Sequence, residues 1–278
     1  MKRSIIAGGQ GADDAEIAAA SAYLAKSVPY SAGLGIVLGS GLGGVRKAFR
    51  TVRAFAYRDI PHFPVSTVAG HRGELVLARR AKVNAWIMDG RVHLYEGHGL
   101  LRVTFPIRVL ARLGVSTVII TNAAGAVSDR LSPGDIMLIE SHIDLMWRVV
   151  PEVSDGPHIQ RLPYYSKRML DLAERVAREN GVCAKRGVLL AATGPSYETR
   201  SEVEFARKIG ADAATMSTIP EVAVCHQLGV TVLGMSLVTN VAARPKGGHD
   251  EVLSYARRGS KHLEKLILAV AGRLQGER

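Results

Sequence analysis

The chain has 278 residues, 47% of them hydrophobic and 22% charged, which supplies an ample globular core and excludes a disordered or low-complexity protein. Its 36 Lys and Arg against 25 Asp and Glu leave a net charge of +11, suited to anionic partners. No long unbroken basic run marks a nucleic-acid-binding arm, so nucleic acid is not an expected partner.

Cys183 and Cys225 lie far apart, without CxxC or His-rich surroundings. A disulfide framework or a zinc site is therefore not expected, and a reducing compartment fits. Met1 to Asp14 shows a basic start with no sustained apolar stretch behind it, and no apolar run approaches the ~20 residues of a membrane span. A cytoplasmic location without membrane contact is expected. With no internal repeat or long linker, residues 1–278 read as one domain.

In chain order, Asp13 and Asp14 are placed to cap an alanine-rich helix running to about Val28. Leu34–Leu38 reads as a buried strand, and further strands are predicted over Glu74–Ala78, Trp86–Met88, Val118–Thr121, Ile136–Ile139, Val188–Ala191 and Val230–Val238. Helical patterns cover Phe105–Leu113, Lys167–Asn180, Ser201–Ile209, Pro220–Leu228 and Glu251–Leu274. Strands alternating with helices predict an α/β fold around a mostly parallel or mixed central β-sheet flanked by helices, with ligands at the carboxyl ends of strands.

Several segments at those ends carry chemistry. Gly39, Gly41 and Gly44 satisfy GxGxxG after the first strand, which keeps a dinucleotide site, and hence a nicotinamide-dependent dehydrogenase, open. Asp59 has the spacing of the acidic residue that such a site needs but stands at no convincing strand end. A backbone nest holding one phosphate beside Ser40 is the plainer functional reading, and a turn without a ligand is also open. In Gly90–Gly97, extended backbone would put Arg91, His93 and Tyr95 on one face, an arrangement suited to an oxyanion beside a sugar. His71 could join from its own loop. Thr121–Ala126 has the small residues that permit close backbone approach. Thr218 and Glu221 form a T-x-x-E capping box with Pro220 in the first turn, leaving Ser217 at a helix N-terminus that favours an anion. Glu198 and Asn240 could read a purine edge, since a carboxylate accepts while a carboxamide both accepts and donates.

Together, and in this order, these stretches resemble the trimeric purine nucleoside phosphorylases. The matching segments are LGSGLGG (38–44), GHRGEL (70–75), GRVHLYEGH (90–98), TNAAGAV (121–127), GDIMLIESHIDL (134–145), GPSYETRSE (194–202), GADAATMSTIPEVAV (210–224) and LGMSLVTN (233–240). The resemblance implies a homotrimer with active sites near its interfaces, cleaving inosine and guanosine with inorganic phosphate as co-substrate and neither metal nor cofactor. It implies phosphate binding by Ser40, His71, Arg91, His93, the backbone at Ala123, and Ser217. Tyr95 and Met216 would line the ribose, His249 would reach its 5′-hydroxyl, and Glu198 and Asn240 would hold the base beside Tyr197. His93, Glu198 and Asn240 are thereby the catalytic set. Methylthioadenosine phosphorylase is the second reading, and a nucleoside-binding protein without catalysis the third.

The chain departs from the family pattern over 146–165, where the position of a partner-supplied aromatic falls near Leu162, with Tyr164 and Tyr165 close by. The segment between Asn240 and His249 is short. Arg200 stands where the family has Pro, and Thr215 where it has Gly. A Cβ at position 215 is expected to push on the Met216–Ser217 backbone and weaken phosphate binding.

Overall fold

The computed structural model describes residues 4–39, 41–67, 72–146, 164–243 and 249–276. Strand β1 (Leu34–Leu38) is buried at every position, lying between β4 (Val83–Asp89) and β5 (Thr117–Ala126) in parallel register. That enclosure is why its sequence is an unbroken apolar run. From β4 the sheet continues through antiparallel β3 (Glu74–Arg80) to an edge strand, β2 (Arg50–Ala56). The second strand carries no apolar run because it is an edge: among its residues only Phe55 is fully buried, while Arg50 and Arg53 face solvent.

On the other side of β5 the order runs through β8 (Ala213–Thr215), β7 (Ala184–Ala191) and β6 (Ile136–Asp144) to β9 (Thr231–Val241). Because β9 also pairs with β5, in parallel, these five strands close on themselves. The sheet is mixed: around the closure β5–β8 and β6–β9 are antiparallel, while β8–β7, β7–β6 and β9–β5 are parallel.

The helices are α1 (Ser4–Lys26), a short α2 (Gly43–Lys47), α3 (Leu100–Arg112), α4 (Lys167–Glu179), α5 (Arg200–Lys208), α6 (Ile219–Gln227) and α7 (His249–Gly276). Ser166 caps α4 by accepting the Met169 N–H, and Thr199 with Glu202 closes a full capping box on α5. Among the described residues no helix is long and apolar enough to cross a membrane.

The start of α1 differs from expectation. The helix begins at Ser4, so Asp13 lies inside it and caps nothing. Its carboxylate instead pairs with Arg108, whose side chain is 5% exposed in the buried run of α3. A guanidinium taken out of water needs a counter-charge, and that need outranks a capping role. Burial raises the Asp13 pKa and lowers that of Arg108, with mutual attraction opposing both shifts. Asp13→Ala is expected to cost about 3 kcal/mol of stability in chemical denaturation, since it strands a buried cation. A loss below about 0.5 kcal/mol, the range of ordinary surface changes, would contradict this assignment.

Candidate active site

Loops from six separate parts of the chain meet in one cleft at the carboxyl ends of the strands. Its walls come from Gly39 after β1, Arg91, His93 and Tyr95 after β4, Asn122–Gly125 in β5, Tyr197 and Glu198 before α5, Ala214–Ser217 between β8 and α6, and Thr239 and Asn240 in β9. The cleft holds about 160 Å³, several times the ~30 Å³ share of one water, so it suits a small molecule.

Gly39 is required by close approach: a Cβ there would stand 2.9 Å from the Asn122 Cα. Its N–H donates to Thr121 Oγ1 (2.9 Å), and that hydroxyl donates to Val37 O (2.8 Å), locking the ends of β1 and β5 together.

The segment after β4 departs from the extended reading. It turns into a short 3₁₀ helix at Leu94–Glu96, because Glu96 folds back: Oε1 accepts the His93 N–H (2.7 Å) and meets Nδ1 of the same residue at 2.9 Å. Arg91, His93 and Tyr95 still line the cleft, while Val92 and Leu94 pack into an apolar cluster. The His93 and Tyr95 rings stack, with centroids 4.7 Å apart and planes 17° from parallel. A carboxylate at Nδ1 makes that nitrogen a donor and fixes the orientation of the ring.

Glu96 itself was visible only as a residue three positions after His93. Its Oε2 accepts from Thr67 N (2.6 Å) and Thr67 Oγ1 (2.9 Å). Burial pushes its carboxyl up, but the hydrogen bonds from Thr67 and His93 outweigh it and hold the pKa at about 2, against an ordinary 4.5.

Arg91 is almost wholly enclosed, its side chain 3% exposed, and it faces Glu221 at 2%. Nε lies 3.2 Å from Glu221 Oε1 and 3.1 Å from Oε2. Nη1 donates to Ser217 Oγ (2.9 Å) and Thr218 Oγ1 (3.3 Å), and Thr218 Oγ1 also accepts from Asn122 Nδ2 (3.0 Å). Burial raises the Glu221 pKa, opposed by Arg91 and the Thr218 N–H.

The expected capping box is therefore only half made. The Thr218 N–H reaches Glu221, but the Thr218 hydroxyl turns to Arg91 and Asn122 and caps nothing. Thr218 has φ +79° and ψ −51°, and Ile219 N–H bonds to Ser217 O (2.9 Å), which makes a γ-turn of the rare positive-φ kind. A β-branched residue there costs about 1–3 kcal/mol, strain of the kind found at functional sites.

Thr215 faces the neighbouring strand β5. Its hydroxyl donates to Ala123 O (3.1 Å), and Ser217 meets Arg91. At the far wall, the β5–β9 register shifts: Ala124 pairs with Val238, and Gly125 with Asn240. The extra residue, Thr239, is a bulge that lets two successive side chains, Thr239 and Asn240, face the same cleft. Thr239 Oγ1 donates to Asn240 Oδ1 (2.9 Å) and steadies the carboxamide.

Every sequence-predicted site residue whose side chain the structure describes lies on this cleft: Arg91, His93, Tyr95, Ala123, Tyr197, Glu198, Met216, Ser217 and Asn240. Ser40 and His71 lie outside the described residues, as does Leu162. His249 is the first residue of α7. Tyr165 is buried against His142 (3.1 Å) and Tyr164 packs between His142 and His226, so both aromatics belong to their own chain's packing.

The dinucleotide reading is overturned. The neighbours of β1 are β4 and β5, so the next strand in sequence is not its parallel partner, and Asp59 sits in a 3₁₀ turn after β2. The anion seat at the start of α2 is filled by Glu264 of α7, which accepts the Gly44 N–H (3.0 Å), and a Cβ on Gly44 would collide with that carboxylate.

Residues 34–271 match the Phosphorylase superfamily. Purine nucleoside phosphorylase 1 of Bacillus subtilis is 40% identical over 92% of this chain and 97% of its own length. The Rattus norvegicus purine nucleoside phosphorylase is 38% identical over 84% of this chain and 86% of its own. Isoform 2 of purine nucleoside phosphorylase from Schistosoma mansoni, solved in complex with cytosine and ribose-1-phosphate, superposes with TM-score 0.84 at 32% identity, covering 93% of this chain and 96% of that one. The fold is thus that of the phosphorylase superfamily, to which the chain belongs. Within it, the chain belongs to the purine nucleoside phosphorylases.

A carboxylate depressed on folding contributes stability that is complete above its unfolded pKa and is lost as pH falls through the folded one. Glu96 should therefore support the fold above pH 4.5 and release that support on the way to about pH 2. Melting curves across this window are expected to show a shallower acid loss in Glu96→Gln than in the parent. Superimposable pH–stability curves would count against the hydrogen-bonded carboxylate.

Proposed function

We propose that this protein cleaves 6-oxopurine nucleosides, inosine and guanosine, with inorganic phosphate to give the free base and ribose 1-phosphate. The observation that carries the reading is one cleft with two chemically distinct ends. A buried guanidinium, a serine hydroxyl and a carboxylate-oriented imidazole line one end, while a carboxylate and a carboxamide line the other.

Arg91, Ser217 and His93 would hold the phosphate with Ser40, His71 and the Ala123 backbone. Tyr95 and Met216 would line the ribose, and His249 would reach its 5′-hydroxyl. As the bond from C1′ to the purine nitrogen lengthens, positive charge gathers on the ribose and its electron pair moves into the base. The bound anion stabilises that cation, and one of its oxygens then forms the new bond to C1′ from the opposite face, inverting the configuration. Asn240 would hydrogen-bond the purine as N7 gains its proton, Glu198 would fix the other edge, and Tyr197 would pack beside the ring. Metal and cofactor have no part in this sequence.

The reading extends to a homotrimer in the cytoplasm. Support for association comes from exposed apolar side chains at the cleft, on α5 and just past its end: Tyr197 (71% exposed), Phe205 (51%) and Ile209 (40%). Light scattering on the eluting protein is expected to give three times the chain mass; a monomer would contradict the assembly.

Inosine should release hypoxanthine only when phosphate is added. Release without phosphate, or none with it, would overturn the reading. Asn240→Asp should cut the inosine-over-adenosine preference roughly tenfold or more, because an ionised carboxylate cannot donate. Unchanged selectivity would remove Asn240 from the base site.

A further inference from the structure

The phosphorolysis reading assigns no part to Glu221, a buried carboxylate in the first turn of α6. Three observations single it out. First, the ion pair with Arg91 is sealed from solvent on both sides, so neither charge has water as an alternative partner. Second, contact is made at one edge of the guanidinium: both carboxylate oxygens sit at Nε, at 3.2 and 3.1 Å, while Nη1 is turned to the cleft-lining Ser217 hydroxyl. Third, the Thr218 N–H also ends on this carboxylate, so one side chain ties together the arginine and the strained turn that presents Ser217 and Thr218.

From this geometry we propose that Glu221 is a positioning residue for phosphate: it clamps Arg91 by its Nε edge and holds the γ-turn, so that the Nη side of the guanidinium and the Ser217 hydroxyl address one anion. The proposal rests on the reading of Arg91 and Ser217 as phosphate ligands. It adds that their alignment is set from behind by a group that never touches substrate. Asparagine 122 completes the device from β5, since its Nδ2 holds the Thr218 hydroxyl at 3.0 Å.

Glutamine at this position offers one acceptor where the site has two donors, the Arg91 Nε–H and the Thr218 N–H, and its own NH₂ must face one of them. Aspartate keeps the charge, and with it the counter-ion the fold needs, but withdraws the carboxylate by one methylene. Steady-state kinetics of the parent, Glu221→Gln and Glu221→Asp, with phosphate and inosine varied separately, test the idea. Both variants are expected to raise the KM for phosphate on the order of tenfold, with the KM for inosine within about twofold of the parent. Phosphate should also raise the melting temperature of the parent more than that of either variant.

An unchanged phosphate KM in a folded variant would overturn the proposal. So would a lowered one, which would make the carboxylate only a repulsive counter-charge to the incoming anion. Equal increases in both KM values would overturn it too, by revealing a general structural role. A parent with no phosphate-dependent turnover would instead overturn the underlying assignment of function, and that result is read from the parent alone.

Discussion

A guanidinium withdrawn from water is held by whatever accepts its hydrogen bonds, and much of this cleft is arranged around that requirement for Arg91. Its counter-charge comes from α6, its hydroxyl partners from the turn entering that helix, and the carboxamide that fixes one of those hydroxyls from β5. These groups lie far apart in the chain, and the parallel run of β4, β1 and β5 brings Arg91, just after β4, and Asn122, in β5, to the same end of the sheet. The positive φ of Thr218 is a local cost that this network sustains.

The same economy of supports recurs around the cleft. Glu96 orients the ring of His93, Thr239 steadies Asn240, and Thr215 ties its strand to Ala123. At the glycine loop, α7 contributes twice: Glu264 takes the N–H groups' side at Gly44, and Ser260 donates to Gly41 O (2.7 Å). The helix that begins at His249 thus holds the described glycine loop at Gly41 and Gly44. A loop that resembles a dinucleotide fingerprint is here stapled to a helix by a carboxylate at Gly44.

What could be read from sequence followed burial. Enclosed strands such as β1 and the first half of β5 carry unbroken apolar runs and stood out; β2, an exposed edge, and β8, three small residues, carry no such signal. The cleft residues were legible through motif order, because loops at strand ends converge whatever their distance along the chain. Side-chain pairings were not legible. Thr218 and Glu221 have capping-box spacing, yet a buried arginine 127 residues away takes the Thr218 hydroxyl. Asp13 has the look of a cap for the same reason and answers to Arg108 instead. Glu96 bends its segment into a 3₁₀ turn through bonds that period-two reasoning cannot see. In each case a buried cation or imidazole, invisible locally, outranks the local rule.

The central claim is that one tetrahedral anion sits where these groups converge. A crystal structure of the protein with sulfate in place of phosphate tests it directly. The anion is expected within hydrogen-bond distance of the Arg91 guanidinium and the Ser217 hydroxyl, with the His93 ring facing it. Sulfate bound elsewhere at saturating concentration, with these three side chains directed apart, would contradict it.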